Sequence, residues 1–345
     1  MDGMEEKTIQ RKQYVLIDVL KFIMASLIIG IHSKSITGES YPMFLSCLMQ
    51  TAVPFFFVTS GFLFAEHVVL SNATKQSVLQ GLYRWMKKIL FLYVCWTILY
   101  LPLTICGYYQ NHLSWRADCL LFVRGFLFLG EHNYSWPLWY LLASLIAACL
   151  IYLFVKIRLK TRGWFLIGLL LMFLGWKYEH TNPSMLNGFS AFVYKAYDLV
   201  FVNTRNGFCQ GLAYIAAGMV ISTWKLRNKL FAFFFVVLGG VMFIHDYPFS
   251  LLLLSMGLFI LGSNIAVAFL ENNITFCQTL RSMSILMYFF HMYVIAFMGL
   301  CLKKGWIMWN VYEVWGVVWL ITILFAFFVC YYMQTESGKW IKRII

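Results

Sequence analysis

Lys21 and His32 fall in one apolar run, Tyr14 to Ile36, with ten residues between them. Eleven residues of α-helix make close to three turns, so the two side chains share a face and stand about 16 Å apart along the axis. Asp18, one turn before Lys21, lies near the same stripe. A charged side chain costs roughly 2.5–3.5 kcal/mol at the centre of a lipid-spanning helix, so such groups turn to the interior of a bundle and serve a pathway or a reaction. A neutral imidazole is suited to take a proton from a hydroxyl, because its ordinary pKa of about 6.5 is close to working pH. A buried ammonium suits an anion, phosphate above all, through charge-assisted hydrogen bonds. Two plainer readings stand beside these: a histidine that only links helices by a hydrogen bond, and an Asp18–Lys21 pair that neutralises itself at a three-residue spacing.

The elements that must position these residues follow from composition. Of 345 residues, 61% are hydrophobic, 19% aromatic and only 12% charged, where an ordinary soluble domain has about a quarter charged. The apolar runs are long and continuous, as spanning helices require, and lack the short alternation of barrel strands. The expected fold is therefore all-α and polytopic. Ten spans are expected, at 13–35, 43–64, 87–108, 136–155, 164–178, 207–223, 230–246, 248–270, 283–302 and 310–333. The fifth is short and interrupted by Gly175 and Lys177, and Leu120 to Leu129 reads as a re-entrant or interfacial helix broken by Arg124 and Gly125. Residues 65–86 read as an amphipathic segment ending in Tyr83, Arg84, Trp85, Lys87 and Lys88.

Positive charge orients the spans. With a cytoplasmic N-terminus, 18 of the 27 basic residues fall on the inner side, among them Lys7, Arg11, Lys12, Arg84, Lys87 and Lys88. That asymmetry is what the positive-inside rule expects. Both termini are then cytoplasmic, as tails at 1–12 and 334–345 of one transmembrane domain covering 1–345. The net charge of +13 is met by this topology and by anionic headgroups of membrane lipids, with no nucleic-acid partner required. Nine cysteines without paired spacing suit helix packing, and no metal is expected. Asp18 and Lys21 interrupt the first apolar run, so no cleavable signal peptide is expected. The longest non-spanning stretches, 109–135 and 179–206, lie on the outer side as a lid or acceptor cleft.

Several blocks together resemble a known family. Ile17-Asp18-Val19-Leu20-Lys21-Phe22-Ile23 leading to His32-Ser33, then Val53-Pro54-Phe55-Phe56-Phe57-Val58-Thr59-Ser60-Gly61-Phe62-Leu63, is similar to the opening of the acyltransferase-3 family of integral membrane O-acyltransferases. Trp136-Pro137-Leu138-Trp139-Tyr140-Leu141 resembles that family's Trp-centred entry to its fourth span. Arg205-Asn206-Gly207-Phe208, followed by Gly211 and Gly218, resembles the start of a later span, and Arg281-Ser282-Met283-Ser284 through His291 its Arg-Ser…Tyr…His signature. The blocks occur in the family's order over nearly the whole chain.

The resemblance implies a ten-helix enzyme of the bacterial cytoplasmic membrane that takes an acyl group, usually acetyl, from cytoplasmic acyl-coenzyme A. It places that group on a hydroxyl of a surface carbohydrate, free or lipid-linked, with His32 as the catalytic histidine. Lys21 stands where the family commonly has arginine, keeping the charge and losing the bidentate fork. Arg84 and Lys87 correspond to a second familial pair of arginines, again with one lysine; with Lys88 they would join Lys21 in drawing the donor's phosphates, although such a cluster also serves as an ordinary topological anchor. Arg205 and Asn206 either bind the acceptor and stabilise an oxyanion or cap a helix. Trp136 and Trp139 belong to an aromatic belt or stack on a sugar. His291 is a polar link between spans, and Glu131 with His132 a candidate outer acid–base pair. The competing class is a transporter, since membrane domains fused to vancomycin-resistance-type serine racemases are regarded as amino-acid carriers; Asp18, Lys21 and His32 would then line a path. The lack of an evident inverted repeat disfavours a transporter built from one.

Overall fold

The computed structural model describes residues 14–70, 74–111 and 114–343. The N-terminal tail expected at 1–12, with Lys7, Arg11 and Lys12, lies outside the described residues. Among those residues there is no strand, and thirteen α-helices follow one another: α1 (Val15–Thr37), α2 (Met43–Leu70), α3 (Lys75–Asn111), α4 (Trp115–Arg124), α5 (Trp139–Lys156), α6 (Thr161–Glu179), α7 (Gly188–Phe201), α8 (Leu212–Thr223), α9 (Lys229–Ile244), α10 (Ser250–Asn264), α11 (Ala268–Glu271), α12 (Ile274–Lys303) and α13 (Val311–Tyr332). The chain is an all-α, polytopic membrane protein. Each of the ten expected spans falls on one of these helices, with α4, α7 and the single turn α11 between them. By length and composition, six are long and apolar enough to cross a membrane: α1, α2, α3, α12, α13 and the run Trp136–Lys156. Gly207–Thr223, α9 and α10 are apolar and shorter.

Three boundaries differ from expectation for identifiable reasons. The segment expected at 65–86 does not stand apart from the spans: its described residues are the end of α2 and the start of α3; nothing between Gly61 and Leu70 breaks the helix, so it runs past the apolar span. The eighth span stops at Asn264 instead of 270, because Asn264 Nδ2 and Ser263 Oγ both donate to the Ile260 carbonyl and Ile265 turns extended. Arg124 and Gly125 do not break α4. The helix widens there into a π-turn, Gly125–Leu129, which Gly130 ends in a left-handed conformation at φ 71°. A second π-turn, Gly207–Gly211, precedes α8.

The core forms where α2, α5 and α8 meet. Buried Phe57 of α2 packs against Tyr140 and Trp139 of α5, at ring separations of 4.6 and 5.6 Å, and against Tyr214 of α8 at 5.9 Å. Two glycines let α2 and α8 touch backbone to backbone. A Cβ at Gly61 would stand 2.1 Å from the Ile215 carbonyl oxygen, and one at Gly218 would stand 2.0 Å from that of Val58. Around this core α1 packs on α12, α2 and α13, and α9 forms a hairpin with α10.

Basic residues collect at one end of the bundle. Lys75 Nζ donates to the Lys156 carbonyl at 2.9 Å, Arg158 and Lys75 line one cleft with Thr223, Arg162 sits over Trp224, and Arg281 faces Asp18. Lys21 belongs to this end and His32 to the other, about 16 Å away by helix rise.

Candidate active site

His32 lies near the C-terminal end of α1, where the helix leans on α12. Its ring is held between two others: Trp136 stacks on it with centroids 5.5 Å apart and planes 26° from parallel, and His291 stands 5.1 Å away at 30°. No hydrogen bond from a described residue engages either ring nitrogen of His32. The Trp136 ring is carried by a short 3₁₀ turn, Trp136–Leu138, and Tyr288 of α12 fastens that turn by donating to the Pro137 carbonyl at 2.9 Å.

His291 is fully buried. Its Nδ1 lies 2.9 Å from the Met287 carbonyl oxygen. A carbonyl only accepts, so Nδ1 carries the hydrogen and the neutral ring keeps a bare lone pair on Nε2. That nitrogen is buried without a partner among the described residues.

His32 opens on a cavity of about 540 Å³. Trp139 and Arg205 share its wall with Gln50, Glu179, Gln210 and Tyr214. Arg205 is oriented by an ion pair with Glu131, Nη2 to Oε1 at 3.4 Å. Asn206 has a different place. Its Oδ1 caps the second π-turn, accepting from the backbone N–H of Phe208 and Cys209 at 3.0 and 2.8 Å, and its Nδ2 ties that turn to α7 by donating to the Tyr197 hydroxyl at 2.7 Å, so both side-chain groups are engaged. Trp139 is nearly buried against Phe57, leaving Trp136 as the tryptophan that meets His32. Glu131 and His132 have separate partners: Glu131 Oε1 accepts from Arg205 and Asn203, while His132 Nδ1 faces the Tyr108 hydroxyl at 3.3 Å.

At the opposite end, Asp18 holds two cations. Lys21 Nζ is 3.4 Å from Oδ1 and Arg281 Nη1 is 3.7 Å from Oδ2. The Asp18 and Lys21 side chains are each 13% exposed. One carboxylate against two cations leaves the group one positive charge in excess. Arg281 was hidden in the sequence, although it opens the Arg-Ser block; its partner lies more than 260 positions earlier. Arg84, Lys87 and Lys88 are exposed on α3. Arg84 borders a cleft with Tyr83, Gln80 and Tyr152, and none of the three is joined to Lys21 by an ion pair or hydrogen bond among the described residues. Nor do three or more His, Cys, Asp or Glu side chains gather there in a way that could hold a metal ion.

A multi-pass helical bundle with a histidine at the wall of a cavity at one end and two cations gathered on one carboxylate at the other is the kind of protein these features define. The chain belongs to the acyltransferase-3 family: the family model described as "Acyltransferase domain" matches residues 14–334. Among curated proteins it is similar to an amino-acid racemase of Enterococcus faecalis, 27% identical over 270 residues, which are 72% of this chain and 35% of that protein. A second amino-acid racemase of Enterococcus faecalis is 26% identical over 64% of this chain and 32% of its own length. A serine/alanine racemase of Enterococcus gallinarum is 25% identical over 67% of this chain and 33% of its own length. The chain thus spans about a third of the length of these curated relatives. No solved structure matches it.

Proposed function

We propose that this protein transfers an acyl group, acetyl in the first instance, from cytoplasmic acyl-coenzyme A to a hydroxyl of a cell-envelope carbohydrate, with His32 as general base. The observation that carries the reading is the His32 imidazole, without a hydrogen bond among the described residues and open to a cavity, on the same helix as the mostly buried Lys21, about 16 Å away. An extended pantetheine arm is of that order of length. Lys21 and Arg281 would meet the donor's phosphates, with Arg84, Lys87 and Lys88 attracting them from the surface. The thioester then lies beside His32. His32 takes the acceptor's hydroxyl proton as the oxygen attacks the thioester carbon; the C–S bond breaks, and the proton passes to the departing thiolate, giving an ester and coenzyme A. Arg205, beside the histidine in the cavity wall, would face the carbonyl oxygen as it gains charge.

The test is incubation of the purified protein with labelled acetyl-coenzyme A and a panel of envelope glycans, followed by location of the label. Label on a glycan hydroxyl is expected, and His32→Ala lowers transfer by about 100- to 10,000-fold while the protein stays inserted and folded. Full transfer by that variant overturns the role of His32. Solute uptake into proteoliposomes without any acyl donor, with no transfer to any glycan, puts the chain in the transporter class.

A further inference from the structure

Trp136, the ring stacked on His32, also lines a second, smaller cavity of about 220 Å³, together with Tyr108, Arg124, Glu131, His132 and Asn133. Its wall holds half of the unsatisfied buried polar atoms among the described residues. Eight buried side-chain nitrogen and oxygen atoms lack a hydrogen-bond partner among the described residues, and four of them are here: Arg124 Nε, Glu131 Oε2, His132 Nε2 and Asn133 Nδ2. A fifth, Asp118 Oδ1, lies on α4 less than two turns before Arg124. Buried polar groups are nearly always paired, so a concentration of unpaired ones marks a place where a missing partner belongs.

The wall is also built stiffly. A Cβ at Gly107 would lie 2.4 Å from Asn133 Cβ, and one at Gly125 would lie 2.4 Å from His132 Nδ1, so α3 and the first π-turn press their bare backbones against these two side chains. The His132 ring is stacked on Phe122 at 4.6 Å, and the loop is pinned by His132 N–H donating to Ser135 Oγ at 2.9 Å. Burial pushes the His132 pKa down to about 4, so the ring is neutral at ordinary pH.

The chemistry of the wall selects a ligand class. Arg124 and Asn133 offer donors, Glu131 offers an acceptor, and the charges of Arg124 and Arg205 are matched by those of Asp118 and Glu131, which calls for no net charge in return. A hydroxyl both donates and accepts, and the apolar face of a sugar ring packs on an aromatic ring such as Trp136. We propose that this cavity is a carbohydrate subsite holding one neutral, hydroxyl-rich ring, of a ligand whose neighbouring ring reaches His32 past Trp136. The binding site stands by itself; its place in a reaction rests on the acyl-transfer reading.

The experiment uses the whole protein in detergent with neutral disaccharides, chitobiose, cellobiose and maltose, as probes. Binding is measured by calorimetry, and hydrogen exchange of wild-type peptides covering 118–136 is compared with and without sugar. Saturable binding of at least one disaccharide is expected, with slowed exchange in that stretch. Asn133→Leu and Arg124→Met each weaken binding by about tenfold or more, with melting temperature preserved. No saturable binding, no protection of 118–136, or binding undiminished in folded samples of both variants overturns the proposal and leaves a cavity for water only. Protected binding without acyl transfer to any glycan defeats the proposed reaction and keeps the subsite; transfer with no such binding does the reverse.

Discussion

Trp136 and His291 restrict what the His32 imidazole can do. Stacked against one ring and tilted over another, it keeps few orientations, and preorganisation of this kind is worth more than any single contact. Trp136→Ala is therefore expected to lower kcat by about tenfold or more with little change in donor KM, and Trp136→Phe to recover most of the rate; equal loss in both would mean that the indole does more than stack. At the other end of α1, Lys21→Ala is expected to weaken donor binding while Lys21→Arg largely retains it, because the phosphates require the charge. Equal donor affinity across the three proteins contradicts that assignment. His32 and Lys21 were legible because both lie on one helix, where spacing alone fixes the face. The contacts of Trp136 and His291 with His32 and of Arg281 with Asp18 were not, since each is made between segments more than a hundred residues apart, and helical periodicity carries no information about which faces meet.

Among the elements, the α2–α8 contact carries the tightest constraint. Gly61 and Gly218 each leave no room for a methyl group against a backbone carbonyl, and a backbone, unlike a side-chain end, cannot swing aside. Gly61→Ala and Gly218→Ala are each expected to destabilise the bundle by at least about 1–3 kcal/mol, read as a lower melting temperature in detergent. Gly240→Ala, where a Cβ meets nothing within 4 Å, should leave it unchanged. The same glycines stand in the family-like blocks of the sequence, where nothing shows that α2 and α8 meet at them. Span positions were legible from hydropathy because lipid demands continuous apolar helix; span ends were not, because Ser263 and Asn264 close α10 through side-chain hydrogen bonds. Both π-turns also escaped the sequence. They border the two cavities, Cys209 and Gln210 lining the larger and Leu129 the smaller, in keeping with the tendency of such turns to occur at functional sites.

Across the whole molecule, the wall of the larger cavity includes a tie between parts of the chain that no local element joins. Trp176, Glu179 and Asp246 line that cavity. His180, just after α6, places Nδ1 2.8 Å from the Trp176 carbonyl and Nε2 2.8 Å from Asp246 Oδ2, in the turn between α9 and α10; Trp176 Nε1 adds a bond to the Asp246 carbonyl at 2.9 Å. Both oxygens facing the imidazole only accept, so the two contacts together require both ring nitrogens to carry hydrogen, which only the imidazolium does. The hydrogen bond to Asp246 first, then that to the Trp176 carbonyl, raises the His180 pKa above its ordinary value, with the nearby Glu179 charge acting in the same direction. A group whose pKa is raised by folding contributes its full stabilisation below the unfolded value, about 6.5 for histidine, and loses it as pH rises through the folded value. The tie should thus be closed in mildly acidic medium and loosened in alkaline medium. Asp246→Asn removes the charge and the larger part of the shift. The melting temperature of the wild type is accordingly expected to exceed that of Asp246→Asn by a small margin at about pH 5.5, below the ordinary histidine value, and the margin should vanish above the raised His180 pKa. A margin that persists into alkaline pH, or grows with pH, would show that the bond to Asp246 does not depend on the His180 proton.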